Sequence, residues 1–219
     1  MKRLTKNRLT EKELFLFEGT TLFDKIGRAV CKAGTLPRKE LYEAWETARR
    51  VRRKFRGGRV VDLACGHGLL AHIMLILDDS SPEALAVDIE IPKNAEKLSK
   101  VLIETWPRLQ GRIRYIQKPI QTIEIQPEDI VVSAHACGTL TDTVIDMAIT
   151  KRARIAVLPC CHDASKSETG NLEGWLEGEL AVDVMRACRL IHSGYTIMTR
   201  TIPKKITPKN RLLLAEFVD

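Results

Sequence analysis

The sequence predicts an α/β fold: a mostly parallel, doubly wound sheet with helices on both faces, ending in an antiparallel strand pair and preceded by a helical extension. Three observations predict it. From Arg59 onward, short apolar runs alternate with stretches of helical periodicity. Before that point the spacing is helical only. The last two apolar runs are joined by about ten residues containing Pro203 and Pro208, too few for the crossover that a parallel pair needs.

Taken in order, "EKELFLFEGTTLFDKIGRAVCKAG" at residues 11–34 carries apolar positions at helical spacing, interrupted by Gly19. Next, "LPRKELYEAWETARRVRRKF" places Leu41, Trp45 and Val51 on one stripe. Pro37 near its start and Gly57-Gly58 beyond its end suit helix boundaries. We expect residues 1–58 to form a basic helical extension and residues 59–219 the α/β domain. Within that domain the expected strands are "RVVDLA", "ALAVDI", "RIRYIQ", "DIVVSAH", "RIAVLPCC", "YTIMTRTI" and "RLLLAEFV". Helical stretches fall at "LLAHIMLILDD", "NAEKLSKVLIETW", "LTDTVIDMAI" and "LEGELAVDVMRACRLIHSG".

A chain of 219 residues with a hydrophobic fraction of 44% can bury a sizeable core. No apolar run approaches the roughly 20 residues of a membrane span, so no membrane partner is expected. The basic start "MKRLTKNRLT" has no apolar stretch behind it, which argues against a signal peptide. Six cysteines are too few for a disulfide scaffold, so reduced thiols and a cytoplasmic setting are expected. Charge is uneven: residues 1–59 hold 17 Lys/Arg against 7 Asp/Glu, and the remainder 18 against 21. A basic segment on a near-neutral body points to a polyanion, RNA first, with Arg49, Arg50, Arg52 and Arg53 as candidate contacts. A solvated helix face explains the same run equally well. Lys209, Asn210 and Arg211, before the last strand, are further candidates for phosphate contact.

The stretch "VVDLACGHGLLA" places Gly66 and Gly68 directly after a strand. Their missing Cβ atoms let backbone approach a ligand, and the following helix aims free N–H groups at it. Asp88 ends the next strand, where a carboxylate can accept hydrogen bonds from both hydroxyls of a ribose. "GHGLLA" also satisfies G-x-G-x-x-A, which permits a nicotinamide dinucleotide. Asp62, ahead of "ACGHG", occupies the acid position of D-x-G-x-G-x-G, with Ala64 in place of the first glycine.

That arrangement resembles the first motif of class I S-adenosylmethionine (SAM) methyltransferases. The resemblance covers about residues 59–219 and implies a Rossmann-like, seven-stranded sheet whose last two strands form an antiparallel hairpin. It implies SAM as cofactor, with Asp62 close to the methionine amino group, Ala64, Cys65, Gly66 and Gly68 along the ligand, and Asp88 on the ribose. The third strand lacks the Asp that many relatives use for the adenine amino group, and Gln117 is the substitute available.

"VVSAHACGTLTD" and "AVLPCCHDASKS" bring His135, Cys137, Cys160, Cys161 and His162 to adjacent strand ends. No N/D-P-P-Y/F segment is present. "HACGTLTD" with "PCCH" resembles a smaller branch that includes the eukaryotic enzymes 2′-O-methylating the tRNA acceptor stem. The same branch holds the methyltransferase domain of glutathione-S-transferase C-terminal-domain-containing proteins. The expected activity is therefore SAM-dependent methylation of RNA (tRNA or rRNA), by preference at a ribose 2′-hydroxyl, with His135 or His162 accepting the proton. Cys137 and Cys160 can instead be read as thiolate nucleophiles for pyrimidine C5 methylation, or as small apolar fillers. Neither C-x-x-C nor another known zinc spacing occurs, so no metal is expected. A small-molecule or protein methyltransferase and an inactive RNA-binding module remain alternatives. His72 reads as a satisfied core histidine, and Trp175, in "GNLEGWLEG", as a candidate lid residue.

Overall fold

A computed structural model describes residues 7–163 and 165–218. Met1–Lys6, part of the expected extension, lie outside the described residues. The expected break at Gly19 is real: a 3-10 segment, Glu11–Phe17, precedes it and α1 (Leu22–Ala33) follows. Thr21 caps α1 by accepting from the Asp24 N–H, while the Asp24 carboxylate accepts from the Thr21 N–H. The second expected helix is α2 (Arg38–Lys54), with Pro37 as its N-cap residue.

The α/β part then runs through β1 (Val60–Leu63), α3 (Leu69–Leu77), β2 (Ala84–Asp88), α4 (Ala95–Thr105) and β3 (Ile113–Gln117). It continues as β4 (Ile130–Ser133), α5 (Leu140–Lys151), β5 (Arg154–Val157), α6 (Gly178–His192), β6 (Tyr195–Thr201) and β7 (Arg211–Phe217). The seven strands form one sheet in the order β3-β2-β1-β4-β5-β7-β6. The first five are parallel, whereas β7 inserts antiparallel between β5 and β6. The order reverses between β1 and β4, so loops after both strands open on the same edge, where doubly wound sheets bind ligands.

Central strands are buried throughout, as sheets covered on both faces require. One core lies under α5 and α6 and includes Val61, Leu63, Val131, Ile155 and Val157. The other lies under α3 and α4 and continues without a break into α1 and α2 through Ile26, Val30, Leu41, Ala48 and Val51. Residues of the N-terminal helices therefore share the core of the sheet's second face. Among the described residues, no helix is long and apolar enough to cross a membrane.

Candidate functional site

The turn after β1 is built from left-handed backbone: Ala64, Gly66 and Gly68 have φ of 57°, 52° and 71°. A Cβ on Gly68 would strike the Tyr115 ring at 2.9 Å, so that glycine is required by packing. A Cβ on Gly66 would meet nothing within 4 Å, so this glycine faces open space. Ala64 holds the same left-handed conformation despite its methyl group, which costs roughly 1 kcal/mol relative to glycine.

Asp88 turns toward this turn. Its Oδ2 accepts from the Gly66 N–H at 2.9 Å and its Oδ1 from the Ile89 N–H at 2.8 Å, leaving one acceptor position on each oxygen. Asp62 is 1% exposed, and its Oδ2 accepts from the Ala71 N–H at 3.1 Å. Burial pushes its carboxyl up to about 8, against the pull of that hydrogen bond. Cys65 is buried and continues the ladder by donating its N–H to Val87. The Gln117 Oε1, at the end of β3, accepts from the Ile91 N–H. His72 is the satisfied core residue expected, with Nδ1 against the Gly68 carbonyl and Nε2 against Ser99. Open space over Gly66 and a buried acid at its back fit a nucleoside ligand that also carries an amino group.

The loops after β4 and β5 are laced together. Gly138 donates its N–H to the Cys161 carbonyl, and Leu158 donates its own to Ser133. Sulfurs of Cys137 and Cys160 lie 2.9 Å apart, and those of Cys137, Cys160 and Cys161 all fall within 4.8 Å of one another. Burial raises the Cys137 thiol, and burial with neighbouring sulfurs raises that of Cys160. His135 is half-buried in the first of these loops.

The His162 side chain is buried, and its Nε2 lies 2.7 Å from Asp183 Oδ1 on α6. Its Nδ1 is enclosed and has no hydrogen-bond partner among the described residues. Burial would raise the Asp183 carboxyl, but hydrogen bonds from His162 and Arg211 outweigh it and hold it below the usual carboxylate range. Arg186, also on α6, grips Asp142 through two contacts of 2.9 Å. Asp183 and Arg186 were not singled out in the sequence; three residues apart on a helix, they read as ordinary surface charge. Beside this pair lies a cavity of about 530 Å³ with an apolar lining from Leu180, Val184, Ala187 and Leu213 and with Asp183 and Arg211 in its wall. A second cavity of about 440 Å³ is lined by Arg50, Arg53, Lys54, Met198, Arg200 and Thr201.

Several expected phosphate contacts need correction. Arg52 is 2% exposed, and its guanidinium is committed to the Met74 carbonyl, Ser81 and Asp78, so it cannot reach a partner. Asn210 is buried and donates to the Ile202 carbonyl. Lys209 pairs with Glu179, and Arg211 Nε lies 2.5 Å from Asp183, with both side chains still partly exposed. Arg49 and Arg50 share Glu46, whereas Arg53 is exposed. Trp175 is 88% exposed and covers nothing.

Comparison with known proteins agrees with this geometry. A family described as a methyltransferase domain matches residues 39–168. The chain is 27% identical over 139 residues to a glutathione S-transferase C-terminal domain-containing protein of Xenopus laevis, covering 61% of this chain and 19% of that protein. It is likewise 27% identical over 207 residues to the Drosophila melanogaster homolog, covering 74% and 34%. The chain thus spans about a fifth to a third of the length of these curated relatives. In fold it is similar to the SAM-dependent methyltransferase SibL, with a TM-score of 0.55, 17% identity, and coverage of 97% of this chain and 66% of that one. It is similar also to the magnesium protoporphyrin IX methyltransferase of Synechocystis, solved with S-adenosylhomocysteine (SAH), with a TM-score of 0.55, 15% identity, and coverage of 91% and 95%. The family match spans more than half of the residues and runs through the glycine turn, Asp88 and both cysteine loops; the chain belongs to the methyltransferase-domain family, on the class I SAM-dependent fold.

Proposed function

We propose that this chain methylates RNA, at a ribose 2′-hydroxyl, with half-buried His135, in the loop after β4, as the group that receives the hydroxyl proton. The observation that carries the reading is that the basic cavity, on the α2 side of the sheet, and the apolar cavity, on the α6 side, share Arg200 and Thr201 at the end of edge strand β6. A phosphate backbone laid along Arg50, Arg53, Lys54 and Arg200 and passing around the edge of β6 would present one nucleotide to an apolar chamber large enough for it. Asp183 stands at the wall of that chamber.

When bound, SAM supplies an electrophilic methyl group. The turn from Ala64 to Gly68 would lie along it, with Asp62 toward its amino group, Asp88 on the ribose hydroxyls and Gln117 near the base. Asp183, held ionised by Arg211, accepts the Nε2–H of His162 and so fixes the tautomer in which Nδ1 carries a lone pair. Nδ1 is enclosed, so no substrate hydroxyl reaches it, and the 2.7 Å contact of His162 with Asp183 instead ties the loop after β5 to α6. A specific observation also supports a second reading: the apolar chamber alone would accommodate a small-molecule acceptor.

The test is incubation of the full chain with methyl-labelled SAM against cellular RNA and against a small-molecule extract. Label enters RNA if the proposal holds. R53E/R200E then lowers kcat/KM for RNA at least tenfold through KM, and H135Q lowers kcat. Label confined to small molecules, or RNA turnover indifferent to R53E/R200E, overturns it.

A further inference from the structure

We propose that Cys137, Cys160 and Cys161 form a binding site for a soft divalent cation, zinc in particular, with three thiolate ligands and a fourth position open to solvent. This inference does not rest on the RNA reading. Its basis is convergence: sulfurs from two loops, one after β4 and one after β5, all lie within 4.8 Å of one another. Around a tetrahedral zinc with Zn–S bonds of about 2.3 Å, ligand sulfurs sit roughly 3.8 Å apart. The observed spacings, from 2.9 Å up to that bound, bracket this value, so metal entry requires the Cys137 and Cys160 sulfurs to part by roughly 1 Å.

The scaffold is fixed before any ion arrives. The Gly138 N–H to Cys161 carbonyl bond ties the loops across the cluster, and the Gly138 carbonyl accepts from the buried Arg186. Thr141 Oγ1 donates to the Ala136 carbonyl one residue before Cys137. Such outer support is what orients metal ligands. Ligand type selects the ion: an all-sulfur set prefers zinc and other thiophilic metals over magnesium or calcium. On binding, each coordinating thiol gives up its proton to solvent. His162 does not complete the set through Nε2, which is committed to Asp183. Cys137 and Cys161 are exposed, so the fourth position faces outward and would take water. Three protein ligands with an open position are the pattern of a reactive zinc rather than a purely structural one.

The test uses the full chain, purified under reducing conditions and stripped with a chelator. Cobalt(II) is titrated in and then displaced with zinc. Saturation at one equivalent, with thiolate-to-cobalt charge-transfer absorption and tetrahedral visible bands that zinc abolishes, is the expected result. C137S should weaken cobalt binding at least tenfold, whereas C188S, outside the cluster, should not change it. The wild-type titration decides the matter if C137S fails to fold. Absence of the thiolate band at stoichiometric cobalt overturns the site, and so does a Cys137–Cys160 disulfide detected by mass under the same reducing conditions. None of these readouts depends on methyl transfer, so the site and the proposed reaction fail independently.

Discussion

At the scale of single residues, the two acids of the first motif behave differently because their surroundings differ. Asp88 keeps free acceptor positions while its carboxylate pins the turn through Gly66. Asp62 is sealed behind that turn and gains one hydrogen bond, so burial dominates and its carboxyl rises to about 8. The ordinary carboxylate value lies near 4. The folded protein therefore holds the proton more tightly than the unfolded chain, and stability is lost as pH rises from about 4 through about 8. D62N, neutral at every pH, should remove that loss: its melting temperature relative to wild type rises across this window and levels off above it. SAM binding near neutral pH should release a proton, seen as binding heat that varies with the ionisation enthalpy of the buffer. A constant difference in melting temperature from pH 4 to pH 8 would contradict the placement of Asp62.

The glycine turn was legible at this scale because glycine placement is a backbone requirement written directly in the sequence. The His162–Asp183 pair was half legible. "PCCH" marked the histidine, but its partner is separated by a long loop, and an acid on an amphipathic helix carries no sign of which way it faces. The sulfur cluster was visible as residues at neighbouring strand ends, yet its mutual distances depend on the bond between Gly138 and Cys161, which no spacing rule encodes.

Among the elements, α2 shows where charge patterning misleads. The run "RRVRRK" reads as a solvated basic face, and four of its cations do lie outside the core. Arg52, however, follows Ala48 by four positions and so shares its inward stripe. A long side chain lets it cross the apolar layer and bond the Met74 carbonyl at 3.0 Å and Ser81 at 2.8 Å, with Asp78 at 3.1 Å. Removing one partner leaves the other charge buried and unpaired, so R52A should cost about 3–5 kcal/mol in chemical denaturation. A loss within about 0.5 kcal/mol, typical of surface sites, would show that Arg52 is not embedded as described. The strands were the most legible elements. Buried parallel strands are short apolar runs, and the nine-residue link before β7 left antiparallel pairing as the available geometry.

For the whole molecule, α1 and α2 complete the layer over α3 and α4 instead of standing apart. That was not legible, because an amphipathic stripe announces that it is buried but not against what. A chain beginning at residue 59 would expose the surface under Ile26, Val30, Leu41, Ala48 and Val51, and should show no cooperative thermal transition. A sharp melt from that fragment would mean the helices are dispensable to the fold. The same layer brings Arg50, Arg53 and Lys54 beside β6, so the basic cavity exists only when extension and sheet are joined.

Everything proposed for the cleft requires SAM to lie against the open backbone at Gly66. Calorimetric titration of SAM into wild type and G66A, with melting curves for both, tests this most directly. An added methyl group there costs the fold about 1 kcal/mol through its positive φ, since it meets no protein atom. It would collide with a ligand in the open space. The account predicts saturable binding to wild type, a small drop in melting temperature for G66A, and at least a tenfold loss of SAM affinity in that variant. Equal affinity in the two proteins, or no binding heat from wild type at any pH between 6 and 8, would contradict it.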